Sequence, residues 1–163
     1  MTDRLSVKPQ RLWQSILALG SIGSYLDEGS GLRGVNRLAL TSADGEGRRH
    51  VVEQMKALGL SVSIDRIGNV LARRFGQDDS LAPVMMGSHI DSVPTGGIFD
   101  GCLGVLGALE IIATLDEAGV QTRRPLVAAF FTEEEGARFG TDMLGSAVAT
   151  GRIALADAYA LRD

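Results

Sequence analysis

Two short apolar runs, with one helix-length stretch between them, constrain this chain more than any other feature. "APVMMGSHI" covers residues 82–90 and "PLVAAFF" covers 125–131. Neither shows the apolar/polar alternation of a half-solvated strand, and continuous apolar runs of this length suit strands buried on both faces. The stretch from about Gly101 to Ala118 has the length and composition of a helix. Strand, helix, strand in this order predicts a parallel crossover and a layered domain. The expected class is α/β: a three-layer αβα arrangement around a mostly parallel mixed sheet.

The flanking segments complete the expected element order. Leu12, Trp13, Ile16 and Leu17 recur at helical spacing after Pro9, a residue suited to the first helical turn. "SIGSYLDEGSGLRG", residues 21–34, reads as loop. Thr41, Ser42 and Asp44 offer N-caps for a second helix whose apolar side carries Val51, Val52, Met55 and Leu58, with Gly59 as the C-cap. "LSVSIDRIGNVLARRFG" predicts two strands around Gly68-Asn69, and a short helix is expected near Thr141–Thr150.

Composition narrows the function classes. The chain has 163 residues, 45% of them hydrophobic and 22% charged, enough for one domain with a real core. Net charge is -4 and the basic residues are scattered, so no nucleic-acid footprint exists. The first residues, "MTDRLSVKPQRLW", contain no apolar core of a secretion signal, and no run is long enough for a membrane span. A single cysteine forms no internal disulfide, which points to a reducing cytoplasm. The glycines of "GCLGVLG" match no dinucleotide or phosphate loop, and no GxSxG elbow is present.

Chemistry concentrates where the two apolar runs end. In open α/β sheets, sites form beyond the carboxyl ends of strands. The first run leads into "GSHIDSVPTGGIFDG", with His89, Asp91 and Asp100; the second leads into Glu133, Glu134 and Glu135. If the strands are parallel neighbours, one imidazole and several carboxylates converge, and a divalent cation or a pair resolves the repulsion. His89 and Asp91 are two apart, so in extended backbone they face the same way and Asp91 can orient His89. Asp100 follows a Gly-rich turn and precedes the helix, where its two oxygens could bridge two metals. Taken singly, each has another reading: His89 as a core histidine, the acidic triplet as a solvated loop, Asp100 as a helix N-cap. Cys102 has no basic partner nearby in sequence and reads as a small buried residue, and His50 as an exposed helical position.

At these residues the sequence resembles a known family. "GSHIDSVPTGGIFDGCLGVLGALE" and "RRPLVAAFFTEEEGARFG" look like the zinc-peptidase-like amidohydrolases that include N-carbamoyl-L-amino-acid hydrolases, allantoate amidohydrolases and bacterial-type β-ureidopropionases. "RLALTSADGEGR" and "GLSVSIDRIGNVLARRFG" fit the same family's N-terminal region, so the resemblance covers nearly the whole chain. The interval between His-x-Asp and the next Asp is short, which favours this branch over related carboxypeptidases and deacetylases. The resemblance implies metal ligation by His89, Asp100 (bridging) and Glu135, a general base in Glu134, and support of His89 by Asp91. It further implies two divalent ions, Zn²⁺, Mn²⁺ or Co²⁺, and hydrolysis of a linear amide or ureido C–N bond in a small substrate.

The family pattern continues with another ligand histidine and a lid and dimerisation domain, neither of which this sequence contains. Residues 1–163 are therefore expected to be the N-terminal part of a catalytic domain, a truncated form with little or no ureidase activity alone. A homodimer is expected for the full-length family. A metallo-aminopeptidase or deacylase relative, and a non-catalytic remnant or fragment, remain as alternatives.

Overall fold

A computed structural model describes residues 5–163; of the N-terminal stretch read above, the first four residues lie outside the described residues. Helix α1 spans Pro9–Ser21, with proline in its first turn. Strands β1 (Ser24–Leu26) and β2 (Arg33–Val35) pair antiparallel. All of this small hairpin but Val35 lies inside the stretch expected to be loop. Three-residue strands are too short to show a hydrophobic period, so nothing in the sequence marked them.

Helix α2 (Ser42–Ala57) starts at Thr41, whose hydroxyl accepts from the Asp44 amide. Strands β3 (Ser61–Ile64) and β4 (Val70–Arg74) form the hairpin expected around Gly68-Asn69. The Asp65 carboxylate accepts from the amides of Ile67 and Asn69, and Gly68 takes φ +94°. Strand β5 (Val84–His89), helix α3 (Cys102–Glu117) and strand β6 (Leu126–Phe131) make the crossover unit. Two short helices follow, α4 (Leu144–Ala149) and α5 (Leu155–Ala160).

The main sheet has the order β3-β4-β6-β5. Only β5–β6 is parallel; β3–β4 and β4–β6 are antiparallel. The sheet is mixed, as expected, but not mostly parallel. The tight Asp65–Asn69 turn forces β3 to return against β4, and a parallel pair needs a crossover that only α3 supplies.

Membership of the main core follows strand parity. Val70, Ala72, Leu126, Ala128 and Phe130 join the core with Ile16 and Leu19 of α1, Met55 of α2 and the apolar side of α3. α1, α2 and α3 therefore share one face of the sheet. On the other face Met85 is 48% exposed, and α4 meets β6 near its carboxyl end. Close approach of α3 depends on a missing side chain: a Cβ on Gly104 would lie 2.9 Å from the Ser88 Cβ.

The carboxyl end of the sheet is tied by polar contacts. Arg48 donates to the Gly68 carbonyl and the Thr132 hydroxyl and pairs with Asp44 at 2.7 Å. Asn69 accepts from the Thr132 amide and donates to the Gly145 carbonyl. The chain leaving β6 is thus held from β4, α2 and α4. Among the described residues, no helix is long and apolar enough to cross a membrane.

Candidate metal centre

The parallel register sets His89 beside Phe131, so both site-bearing loops emerge at one end of the sheet. Ligand atoms of His89, Asp100 and Glu135 lie within 4.8 Å of one another. His89 is buried, and its Nε2 stands 3.4 Å from Glu134 and 3.7 Å from Asp100. Asp100 is 75% exposed at the mouth of the site. It does not cap α3. Gly101 is the N-cap, at φ +63°, and no side chain bonds there.

Gly101 has a second requirement. A Cβ there would fall 2.5 Å from His89 Nε2. The turn before α3 therefore needs glycine both for its backbone conformation and to leave the imidazole its place.

Asp91 acts differently from the expected contact with His89. Its carbonyl, rather than its carboxylate, is the close partner of His89 Nδ1, at 3.0 Å. The nearer carboxylate oxygen is 3.7 Å from Nδ1. The other, Oδ2, accepts from the amides of Glu134 (3.0 Å) and Glu135 (3.3 Å). Asp91 thus binds the imidazole with its backbone and the second loop with its side chain. Sequence spacing showed only the local half of this, because the amide partners are more than 40 residues away.

The three adjacent glutamates separate. Glu133 is buried, at φ +52°, with its carboxylate accepting from the amides of Arg138 and Phe139. A non-glycine residue there carries roughly 1–2 kcal/mol of backbone strain. In return the chain turns at once, and the next two amides reach Asp91. Glu134 and Glu135 face the site, half-buried. Cys102 is buried and free, as read, but it has a basic neighbour from far away in sequence, Arg37. His50 is half-buried on α2 and bonds Gln54.

The electrostatics call for a cation. Burial pushes the Asp91 carboxyl up to about 6, with His89 and the Glu135 amide pulling the other way and Asp44 pushing further up. Glu135 is also raised, first by burial, with the carboxylates of Asp100 and Glu134 adding to it against the pull of His89. The Asp91 carbonyl can only accept, so Nδ1 donates to it and Nε2 is the ring nitrogen left for the site. Nε2 faces the oxygens of Asp100 and Glu134. One nitrogen and several carboxylate oxygens directed at one point fit a divalent cation of the zinc or manganese kind.

A mixed α/β domain with a histidine and carboxylates gathered at the ends of a parallel strand pair has the architecture of the zinc-peptidase-like amidohydrolases. The sequence profile of Peptidase family M28 matches residues 69–156, and the chain belongs to that family, which is metal-dependent. Among its homologues, the N-carbamoyl-L-amino-acid amidohydrolase of Rhizobium meliloti is 43% identical over 157 residues, 96% of this chain and 36% of the relative. The allantoate amidohydrolase of Bacillus subtilis (strain 168) is 36% identical over 130 residues, 80% of this chain and 32% of the relative. A solved hydantoinase/carbamoylase family amidase from Burkholderia ambifaria superposes with a TM-score of 0.92 at 46% identity, covering 99% of this chain and 38% of that one. The chain thus spans about a third of the length of these relatives.

Proposed function

We propose that residues 1–163 form the N-terminal part of the catalytic domain of a metal-dependent amidohydrolase acting on linear amide or ureido C–N bonds in small substrates. The observation that carries this reading is the convergence of His89, Asp100 and Glu135, whose ligand atoms lie within 4.8 Å of one another, an arrangement that a divalent cation satisfies. The names of the relatives, N-carbamoyl-L-amino-acid and allantoate amidohydrolases, support the substrate class.

His89 and Glu135 would each hold one of two ions, Zn²⁺, Mn²⁺ or Co²⁺, with Asp100 between them. When bound, such ions acidify water and polarise a carbonyl. Glu134 is the general base: it is partly exposed, beside the ligand cluster, and its amide is anchored to Asp91. It takes a proton from the attacking water and returns it to the leaving nitrogen. Adjacent side chains diverge, so Glu135 can ligate while Glu134 faces substrate. Asp91 holds both glutamates and His89 in register. The lone cysteine, free and buried, supports a reducing, cytoplasmic setting.

Metal uptake through His89, Asp100 and Glu135 tests the centre directly. The chain should bind Zn²⁺ or Mn²⁺, Glu135→Gln should lose metal, and Glu134→Gln should retain it. Turnover of N-carbamoyl-L-amino acids and allantoate, compared with dipeptides, tests the reaction class; Glu134→Gln should abolish any turnover seen. A chain that takes up no divalent metal, or glutamate variants with unchanged metal content and rate, would overturn the assignment.

A further inference from the structure

We propose that Arg37 is a positioning residue for the metal centre, an inference that rests on the reading above. Arg37 is completely buried. Its Nε donates to the Ile90 carbonyl at 2.7 Å, and Nη1 donates to the carbonyls of Leu19 (3.0 Å) and Ile22 (2.7 Å). Nη2 reaches the Cys102 sulfur at 3.2 Å. Its backbone pairs reciprocally with Ser92: the Arg37 amide donates to the Ser92 hydroxyl, and the Ser92 amide donates to the Arg37 carbonyl. None of these side-chain acceptors is a carboxylate.

A buried cation without an anion is expensive, and an apolar side chain of similar volume would often stabilise the fold more. What the guanidinium provides instead is a rigid, planar set of donors in fixed directions. Those directions converge on the metal-site loops. Ile90 lies between His89 and Asp91. Cys102 opens α3, two residues after Asp100, and its amide donates to the Asp100 carbonyl at 2.6 Å. Leu19 and Ile22 lie at the carboxyl end of α1, where the helix dipole favours a positive charge. The stem is fixed as well, since a Cβ on Gly47 of α2 would sit 2.9 Å from the Arg37 Cδ. One side chain therefore sets the spacing between the segment bearing His89 and Asp91 and the segment bearing Asp100.

The test uses the 163-residue chain with Arg37→Met and Arg37→Lys, and Met55→Ala as a core-destabilised control on α2. Zn²⁺ affinity is measured by competition with a chromophoric chelator under conditions where each variant is folded by circular dichroism. Amide hydrogen exchange is followed over residues 86–92 and 99–106. Arg37→Met should weaken Zn²⁺ binding about 10–100-fold, the range for residues that orient metal ligands, and should speed exchange selectively in those two segments. Met55→Ala should lose stability yet keep the wild-type affinity. Arg37→Lys keeps the charge without the fork and should show an intermediate loss; it carries the test if Arg37→Met does not fold. A wild-type chain that binds Zn²⁺, with Arg37 variants matching it in affinity and local exchange, overturns this inference alone. A wild-type chain that binds no metal overturns the metal centre and this inference together.

Discussion

Replacing Asp91 by asparagine removes one charge and almost no volume. In the wild type, Oδ2 accepts two amides, while Oδ1 is buried without a hydrogen-bond partner. The carboxyl is pushed up to about 6 from an ordinary 3.8, mainly by burial. A raised carboxyl pKa means that the folded chain binds the proton more tightly than the unfolded chain. The ionised group therefore destabilises the metal-free fold fully above about pH 6, and progressively less as pH falls towards about 4. A displacement from 3.8 to about 6 corresponds to about 3 kcal/mol at neutral pH, taken as an upper bound. Asparagine stays neutral and still offers an oxygen to the two amides. In chelator-treated protein at pH 7, Asp91→Asn should thus gain about 1–3 kcal/mol, or roughly 2–10 °C in Tm for a chain of this size. The gain should shrink to nothing near pH 4. With Zn²⁺ present the gain should shrink or cancel, because binding that is about 10–100-fold weaker removes about 1.4–2.7 kcal/mol of it. Urea denaturation in EDTA at pH 7 and pH 4, repeated with Zn²⁺, measures all of this. An asparagine variant less stable than wild type at pH 7 in EDTA would refute the reasoning, since it would show that the ionised carboxylate stabilises the metal-free fold.

Gly101→Ala places a methyl 2.5 Å from His89 Nε2 at φ +63°, so it should cost roughly 1–2 kcal/mol of backbone strain and displace the imidazole. Metal titration and a thermal melt should show lower affinity and lower Tm together. Glu110 is buried on α3 and accepts from Arg11 at 2.6 and 2.9 Å and from the Lys8 amide at 2.7 Å, and the Arg11 contact lowers its pKa. Its contribution is present above about pH 4.5 and is lost as pH falls through the lowered value. Glu110→Gln should therefore cost about 1–2 kcal/mol at pH 7, with the deficit vanishing in acid, as urea denaturation across pH would show.

Where the longer elements lie, and which residues carry chemistry, was legible in the sequence; the short strands β1 and β2 and helix α5 were not. Val84–His89 and Leu126–Phe131 are continuous apolar runs, and α3 between them carries long apolar stretches. Leu126–Phe131 is buried along nearly its whole length, whereas Val84 and Met85 at the start of the other run are each 48% exposed. His89, Asp91, Asp100, Glu134 and Glu135 stand out because ligand-type residues follow directly where those runs stop. The tertiary structure alone decided which partners these groups take. It gave the Asp91 carboxylate to the amides of Glu134 and Glu135, buried Glu133 against Arg138 and Phe139, and left Glu134 and Glu135 to the site. It also set β4 antiparallel to β6 and buried Arg37 against carbonyls from two distant segments. Apolar burial is non-directional and depends on local composition, so a one-dimensional pattern records it. A buried polar group is tolerated only where specific donors or acceptors meet it, and here folding brought those groups from residues 15 to 65 positions away for Arg37 and more than 40 away for Asp91.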